Sequence, residues 1–375
     1  MNQTMTNHPT ISVVMTVYNG GRYLDEAVES ICRQTFADFE FLIVNDGSTD
    51  HTADVLSRHA EKDPRIRVIT QPNRGLVAAL NAGCAAARGE WIARMDADDV
   101  SLPDRFEKQM NFLRAHPEIG VLGGASQFIE NGELVDMYER PPLQHRDILD
   151  VFARGNPVVH PSMVIKRAAF EAVGGYRPLF VAAEDVDLWL RLAERCELAN
   201  LEDIVIHRRR HSEEASFRRV AQTSLLALAA RHSARIRRRM GRDPLTTLTV
   251  ISPRTLMSVG VAAAEIEAEL LHSPPYRANL LINRRECDLA RRILDDIDRF
   301  LRDIPSSRRA RSWVAMIRSK SYRVEGRFLP RLFWAAWASL LNPCLVLEYA
   351  RTGSFAKYDG MPPEIQANAS PTQAR

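Results

Sequence analysis

The first hundred residues alternate between short apolar runs and segments with helical spacing, and this alternation restricts the fold more than any other feature. Residues 11–17 form a β-branched apolar run that ends in a loop signal, and an apolar stripe with helical spacing follows at 24–32. Further apolar runs lie at 41–44, 67–70 and 91–95. Such alternation predicts a doubly wound, mostly parallel α/β sheet, in which ligands bind at the carboxyl ends of the strands.

Acidic side chains stand at two of these strand ends. Asp46 follows the second apolar run, and Asp96, Asp98 and Asp99 follow the fourth. Neighbouring carboxylates repel one another unless a cation neutralises them, and hard divalent ions prefer oxygen ligands. The spacing leaves two interpretations of the cluster open, a diphosphate anchor built on a metal ion or a solvated acidic loop. For Asp46 the alternatives are an Asx-turn residue and an acceptor for a base or ribose.

Two later segments also carry candidate chemistry. Glu184 and Asp185 open an apolar segment around Trp189, where the dipole of a helix favours acidic residues in any case. An ionised Asp185 in that position could also take a proton from an acceptor hydroxyl. Further on, two histidines bracket Arg208, Arg209 and Arg210, which makes these arginines candidates for phosphate contact and His211 a candidate metal ligand.

The pattern changes beyond residue 115. The Asn-Gly dipeptide at 131–132 predicts a β-hairpin, and 158–165 predicts a further strand. Strand signals then fade, and the stretches 216–240, 257–272 and 284–303 predict helices that prolines separate. The organisation we expect is a flexible N-terminus at 1–10, an α/β catalytic domain at 11–215, a mainly helical C-terminal region at 216–358 and a disordered tail at 359–375.

The motifs with the highest specificity are short and follow one another in a fixed order. They are residues 11–19, 43–50, 73–76, 81–83, 94–99, 160–162, 174–176, 184–185 and 210–211. Together they resemble the family 2 glycosyltransferases, which have the GT-A fold. Thr16 is a departure, because the family usually has proline there. The resemblance ends near residue 215 and says nothing about the rest of the chain.

The resemblance implies a reaction and a set of roles. Enzymes of this family transfer a sugar from a nucleoside-diphosphate donor, usually UDP-linked, to a hydroxyl acceptor with inversion. Asp185 would be the general base, and Asp96 would contact the donor. Asp98, Asp99 and His211 would hold Mn²⁺ or Mg²⁺, which stabilises the departing nucleoside diphosphate. The remaining candidates for donor or acceptor binding are Thr16, Tyr18, Asp46, Arg74, His160, Glu184 and Arg210.

Two other functions are compatible with these residues. An apolar strand followed by Asp96-x-Asp98 also matches the aspartyl-phosphate motif of phosphohydrolases, in which Asp96 would be the nucleophile. That motif normally opens its domain, whereas here about 95 residues precede it. The third alternative is a non-catalytic module that binds a nucleotide sugar and has lost turnover. The intact Asp46, Asp96, Asp98 and Asp185 argue against it.

Composition restricts the partners and the compartment. A net charge of +3 is too small to indicate a nucleic-acid partner. The five cysteines form no CxxC pair, which fits a reducing, cytoplasmic compartment, and the first residues lack the apolar core of a secretion signal. We therefore expect as partners a nucleotide-sugar donor and a glycan or lipid-linked acceptor, in cell-surface polysaccharide or glycan synthesis.

The most apolar stretch of the sequence is 332–347, which is too short for a comfortable membrane span and contains an Asn-Pro dipeptide. Two interpretations are open. The stretch is either a buried helix pair within its own domain or an interfacial segment that docks the protein peripherally on the inner face of the membrane. The arginine-rich stretch at 208–242 is likewise either a solvated helical face or a surface for anionic lipid or a phosphorylated acceptor.

Overall fold

The chain forms two compact units, Met1–Ser212 and Glu213–Arg375. The computed structural model describes residues 8–153, 155–210, 219–305, 307–342 and 346–347. Within these residues the first unit is a sheet with helices on its faces, and the second unit is helical. The predicted fold class is therefore confirmed. The predicted tail at 359–375 lies outside the described residues.

The elements of the first unit follow the predicted alternation of strands and helices. In chain order they are β1 (Ile11–Val17), α1 (Leu24–Cys32), β2 (Phe39–Asn45), α2 (Thr52–Lys62), β3 (Ile66–Thr70), α3 (Leu76–Ala85), β4 (Trp91–Asp96), β5 (Val100–Ser101), α4 (Arg105–Ala115), β6 (Ile119–Glu130), β7 (Glu133–Glu139), α5 (His145–Phe152), a 3₁₀ helix (His160–Ser162), β8 (Val164–Lys166), α6 (Arg167–Ala172), α7 (Glu184–Leu192) and β9 (Glu197–Arg210).

The strands form one sheet in the order β3-β2-β1-β4-β8-β6-β9-β5, with β7 paired to β6. The first four strands are parallel, and β8 then pairs with β4 in the antiparallel sense. Every residue of β2 is buried, as expected for a central strand covered on both faces. Thr16 of β1 aligns with Val44 of β2 and with Asp96 of β4. The loops after these strands therefore open at one edge of the sheet.

Two sequence predictions in this unit have different outcomes. The hairpin is confirmed, because β6 and β7 are antiparallel and Asn131 and Gly132 between them have φ angles of 54° and 88°. The strand predicted at 158–165 is mostly absent. A 3₁₀ turn occupies His160–Ser162, and β8 begins only at Val164. Pro161 explains the difference, because it has no N–H to donate to a neighbouring strand.

The described part of the second unit contains seven α-helices. They are α8 (Val220–Met240), α9 (Pro253–Ser258), α10 (Ala263–His272), α11 (Pro274–Asn283), α12 (Cys287–Arg302), α13 (Arg308–Val324) and α14 (Phe328–Leu341). The helix predicted at 257–272 is interrupted at Gly260, whose φ of 98° suits glycine. The prolines at 274–275 follow the end of α10, as predicted, and they form the first turn of α11, a helix that the sequence did not predict.

The apolar stretch at 332–347 belongs largely to α14, which packs on α13 along one side and is exposed along the other. The exposed side does not fit a helix pair that is buried throughout, and docking on a membrane stays a prediction. Within the described ranges, no helix has the length and the apolar character that crossing a membrane requires.

Candidate active site

A cluster of three carboxylates lies where β4 ends. Oxygen atoms of Asp96, Asp98 and Asp99 lie within 4.8 Å of one another. Asp99 is 3% exposed, and its Oδ1 accepts a hydrogen bond of 2.8 Å from the backbone N–H of Arg209. Burial raises the pKa of Asp99 well above its usual range, and the charges of Asp96 and Asp98 raise it further. The cluster is therefore partly buried, and its carboxylates repel one another.

Three arginines surround this cluster, two of them on β9. The buried guanidinium of Arg94 forms an ion pair with Asp96. Arg208 favours the ionised form of Asp99 electrostatically. Arg209 donates from Nε to the carbonyl oxygen of Asp98 at 2.9 Å. Arg209 thus fixes the loop after β4 to β9 through the carbonyl oxygen of Asp98 and the carboxylate of Asp99.

The chemistry of the cluster fits a hard divalent cation. Mg²⁺ and Mn²⁺ take oxygen ligands, and Mg²⁺ sites commonly combine one or two protein carboxylates with substrate phosphates. A bound cation would relieve the repulsion that raises the pKa of Asp99. The metal assignment of Asp98 and Asp99 remains a prediction. His211, the third predicted ligand, lies outside the described residues.

Asp46 shapes the neighbouring loop through its carboxylate. Its Oδ1 accepts hydrogen bonds from Gln71 Nε2 at 2.7 Å and from the backbone N–H of Arg74 at 2.9 Å. Its Oδ2 accepts from the N–H of Gly75 at 2.8 Å. Asp46 is 4% exposed, so these bonds account for much of its accepting capacity. The side chain of Asp46 therefore orders the loop before α3. The sequence suggested an Asx-turn residue or an acceptor for a base or ribose, and neither interpretation includes this role.

Replacing Asp46 with alanine is expected to lower the free energy of unfolding by about 2–4 kcal/mol, because three donors lose a charged acceptor. Urea denaturation measures the change. The matched control is Asp54→Ala on the exposed side of α2, which is expected to cost less than about 1 kcal/mol. Equal losses in the two variants would contradict the structural role of Asp46.

A separate pair of carboxyl residues, Glu184 and Asp185, lies at the start of α7. Asp185 accepts a hydrogen bond of 2.7 Å from Asn156 Nδ2 and another of 2.7 Å from the N–H of Val186. Burial raises the pKa of Asp185. Burial also raises the pKa of Glu184 to about 8, and the charge of Asp185 adds to that shift. Two hydrogen-bond donors thus hold the carboxylate of Asp185, while Glu184 keeps its proton near neutral pH.

His160 and Tyr176 line the same carboxyl pair. His160 Nε2 lies 2.8 Å from Tyr176 Oη, and His160 Nδ1 lies 3.9 Å from Glu184 Oε1. Burial lowers the pKa of His160 well below its usual range, and the charges of Arg94 and Arg208 lower it further. His160 is therefore neutral. It packs edge-on against Trp189, with a centroid distance of 5.6 Å, and Trp189 is fully buried in the core.

The protonation of Glu184 makes stability depend on pH. The unfolded chain loses this proton near pH 4.5, whereas the folded chain retains it up to about pH 8. Stability from this group is therefore complete below pH 4.5 and declines as the pH rises to 8. Glu184→Gln removes the dependence, so the variant should match the wild type near pH 5 and exceed it by about 3–4 kcal/mol at pH 8.

Thermal or urea unfolding at several pH values measures this difference. Glu90→Gln, at an exposed position before β4, is the matched control and is expected to follow the wild type at every pH. A constant difference between Glu184→Gln and the wild type across this range would refute the raised pKa.

Three other residues predicted to bind the donor or the acceptor, Thr16, Tyr18 and Arg74, lie at the ends of strands or in loops. Thr16 lies at the carboxyl end of β1, close to the edge that carries Asp96. Tyr18 is 52% exposed in the loop after β1. The side chain of Arg74 is also exposed, and only its backbone contacts Asp46. These positions are open to a ligand.

The guanidinium of Arg210 contacts two residues of β6. It donates to Glu130 at 3.2 Å and stacks over Phe128 at 5.2 Å. Alternate residues of a strand share a face, so Arg208 lies on the same side of β9. Arg208 also stacks over Phe128, at 5.5 Å, and its charge acts on Asp99 and Asp96. Arg208 thus lies near the carboxylate cluster, whereas phosphate contact by Arg210 stays a prediction.

The comparisons with known proteins define the class. Residues 12–174 match the family described as Glycosyl transferase family 2. The chain is 35% identical to the amylovoran biosynthesis glycosyltransferase AmsE of Erwinia amylovora, over 56% of this chain and 79% of that protein. It is 34% identical to the O-antigen biosynthesis glycosyltransferase WbnJ of Escherichia coli, over 54% of this chain and 80% of that protein. The chain therefore belongs to glycosyltransferase family 2.

A solved structure agrees with the fold. The S. aureus protein TarS 1–349, in a crystal structure with UDP-GlcNAc, superposes with a TM-score of 0.53 at 16% identity, over 93% of each chain. At this identity the likeness concerns the fold alone. Together with the family match it confirms the GT-A-type architecture.

Proposed function

We propose that this glycosyltransferase moves a sugar from a UDP-linked donor to a hydroxyl acceptor with inversion, and that a divalent metal assists it. The observation that carries the proposal is that two sets of carboxyl residues lie within electrostatic reach of each other. One is the cluster of Asp96, Asp98 and Asp99, and the other is the pair of Glu184 and Asp185. The cluster at Asp96 lies at the end of β4, and the charges of Asp96 and Arg94 act on Glu184 at the start of α7. One site suits a diphosphate and its cation, and the other suits an acid–base residue.

The residues of the chain have the following roles in this proposal. Asp185 accepts the proton of the acceptor hydroxyl while the oxygen of that hydroxyl bonds to the anomeric carbon of the donor. The bond between that carbon and the diphosphate breaks, and its electron pair leaves with the nucleoside diphosphate. Asn156 and the N–H of Val186 hold the Asp185 carboxylate in place. A raised pKa suits Asp185 to this task, because a base titrating nearer neutrality is the stronger proton acceptor.

The donor side uses the edge of the parallel strands. Asp96, Asp98 and Asp99 would hold Mn²⁺ or Mg²⁺, which supplies charge stabilisation to the leaving diphosphate. Arg208 contributes a further positive charge near the cluster. Thr16 and Tyr18 line the nucleotide pocket, and Asp46 holds the loop that bounds it.

The acceptor we propose is the hydroxyl of a growing cell-surface polysaccharide or of a lipid-linked glycan. The names of the relatives from Erwinia amylovora and Escherichia coli, which concern amylovoran and O-antigen biosynthesis, support this choice. A lipid-linked acceptor would place the reaction on the inner face of a membrane.

A donor screen by isothermal titration calorimetry tests the proposal. UDP-, GDP- and dTDP-sugars are titrated with and without Mn²⁺. We expect metal-dependent binding of UDP-sugars. Binding of another nucleotide class would correct the donor alone, whereas no nucleotide binding under any metal condition would overturn the proposal.

Two further experimental outcomes would identify the alternative functions, a phosphohydrolase and a non-catalytic binding module. Family membership favours sugar transfer over the phosphohydrolase alternative, and a phosphoenzyme trapped on Asp96 would reverse that preference. Donor binding with neither hydrolysis nor transfer, in a chain that retains all its carboxylates, would identify a non-catalytic binding module.

A further inference from the structure

One outward face of α14 is apolar along its whole length. Phe328, Leu332, Ala336 and Leu340 are four residues apart and therefore lie along one side of the helix, with Leu329 and Phe333 beside them. In the part of the chain that the structure describes, the five large residues of this set are 47–78% exposed. We call these six residues the α14 outer face.

The opposite side of α14 is fixed to α13. The carbonyl oxygen of Ala338 accepts a hydrogen bond of 2.8 Å from the hydroxyl of Ser312, and Ala338 is buried. The guanidinium of Arg318 stacks over the Trp334 ring at 4.1 Å. The orientation of α14 is therefore determined by these contacts, so the apolar residues point outward as part of the packed helix pair.

The charge around the α14 outer face is positive. Residues 308–341 contain eight basic residues and a single acidic one, Glu325. Glu325 is engaged by Arg291 at 2.8 Å. Arg323, Arg327 and Arg331 are exposed at the start of α14 and just before it. An apolar helical face bordered by basic side chains matches the surface of an anionic bilayer, which offers acyl chains and negative headgroups together.

The dimensions of α14 also favour a lipid surface. Its 14 residues extend about 21 Å, which is shorter than the roughly 30 Å hydrocarbon core of a bilayer. A face of that length and about 10 Å width covers only about 200 Å², against about 800 Å² on each partner in a stable protein dimer. The helix is thus suited to lie in the interface and is small for a protein partner.

We propose that the α14 outer face is a docking surface for an anionic membrane, into which Leu329, Phe333 and Leu340 insert while Arg327 and Arg331 contact the headgroups. The face belongs to the helical unit and its assignment does not depend on the catalytic proposal. The contact is shifted from the stretch at 332–347 toward its N-terminal side, because Phe328 and Leu329 belong to the same face.

Vesicle co-sedimentation with the full chain tests this surface. The probes are phosphatidylcholine vesicles with and without about 30% phosphatidylglycerol. We expect binding to the anionic vesicles that weakens with salt. Leu329→Ser combined with Phe333→Ser should lower the partition coefficient at least about tenfold. Arg327→Glu combined with Arg331→Glu should lower binding to the anionic vesicles selectively.

The matched control is Val250→Ser combined with Leu280→Ser, which removes two exposed apolar residues from elsewhere in the helical unit and should leave binding unchanged. Circular dichroism and thermal melting establish that each variant is folded. Equal binding by wild type and the Leu329/Phe333 variant would overturn the proposal. So would a dimer that this variant dissociates, or binding that appears only after residues 343–375 are removed, because a second copy or the chain itself would then cover the face.

Discussion

Asp98→Asn is expected to abolish metal-dependent donor binding and to lower the rate of sugar transfer at least about 100- to 1000-fold. The substitution keeps the size of the side chain but removes one charge from the cluster of three carboxylates whose oxygens lie within 4.8 Å. A hard cation then loses an ionic ligand, and the diphosphate loses its counter-ion. Calorimetry with a UDP-sugar and Mn²⁺ measures binding, and product formation measures transfer.

The control for this substitution is Asp136→Asn on the exposed strand β7, which changes the net charge equally and should leave both measurements unchanged. Repeating the titration without metal separates two explanations. If the Asp98 variant and the wild type bind the donor equally well in Mn²⁺, the metal site is wrongly assigned. If the wild type and the Asp98 variant bind the donor equally well without metal but differ in Mn²⁺, Asp98 acts through the cation.

Asp185→Asn is expected to lower kcat by about 100- to 10 000-fold while donor affinity stays within about twofold. The amide cannot accept the acceptor proton, but it retains an oxygen for the N–H of Val186. The wild-type kcat/KM should rise with pH through a pKa above that of an ordinary carboxyl, because burial raises the pKa of Asp185 and only the deprotonated form acts as base. This acidic limb should disappear in the variant.

A pH profile separates catalysis from structure at Asp185. Asp150→Asn, exposed on α5, is the matched control and should retain the wild-type rate and the acidic limb. A variant at Asp185 that is slow but keeps the limb would assign the base to another residue, and Glu184 would then be the first candidate.

The sequence was sufficient to predict the parallel half of the sheet and the position of its carboxylates. Strands β1, β2 and β4 are apolar, short and followed by polar loops, and parallel pairing of such strands places Asp46 and Asp96 at one edge. The prediction succeeded because these features are local. Helix α7 was predicted for the same reason, and the complete burial of Trp189 agrees with the dense apolar pattern around it.

The partners of the charged residues could not be predicted in the same way. Asp46 accepts from backbone N–H groups of a loop about 28 residues further along the chain, and backbone groups leave no trace in the residue types. Arg94 is buried in a strand, where its charge is balanced chiefly by the ion pair with Asp96. The contacts of Arg208 and Arg210 with β6 depend on the register between β9 and β6, which aligns them with Phe128 and Glu130.

The exposure of α14 was undecided from the sequence for a related reason. Its residues are apolar on nearly every side, so amphipathic spacing could not indicate which side is covered. The answer depends on α13, which contacts only the side that contains Trp334 and Ala338.

The contacts of Asp46 have a consequence for how well the loop before α3 tolerates substitution. Asp46 holds the loop before α3 mainly through the main chain at positions 74 and 75, so the conformation of the loop depends little on the side chain of Arg74. That exposed side chain is therefore free to be replaced without refolding of the frame around it. A library randomised at Arg74 is therefore expected to keep the conformation of the loop, so that a change in ligand binding can be assigned to the side chain itself.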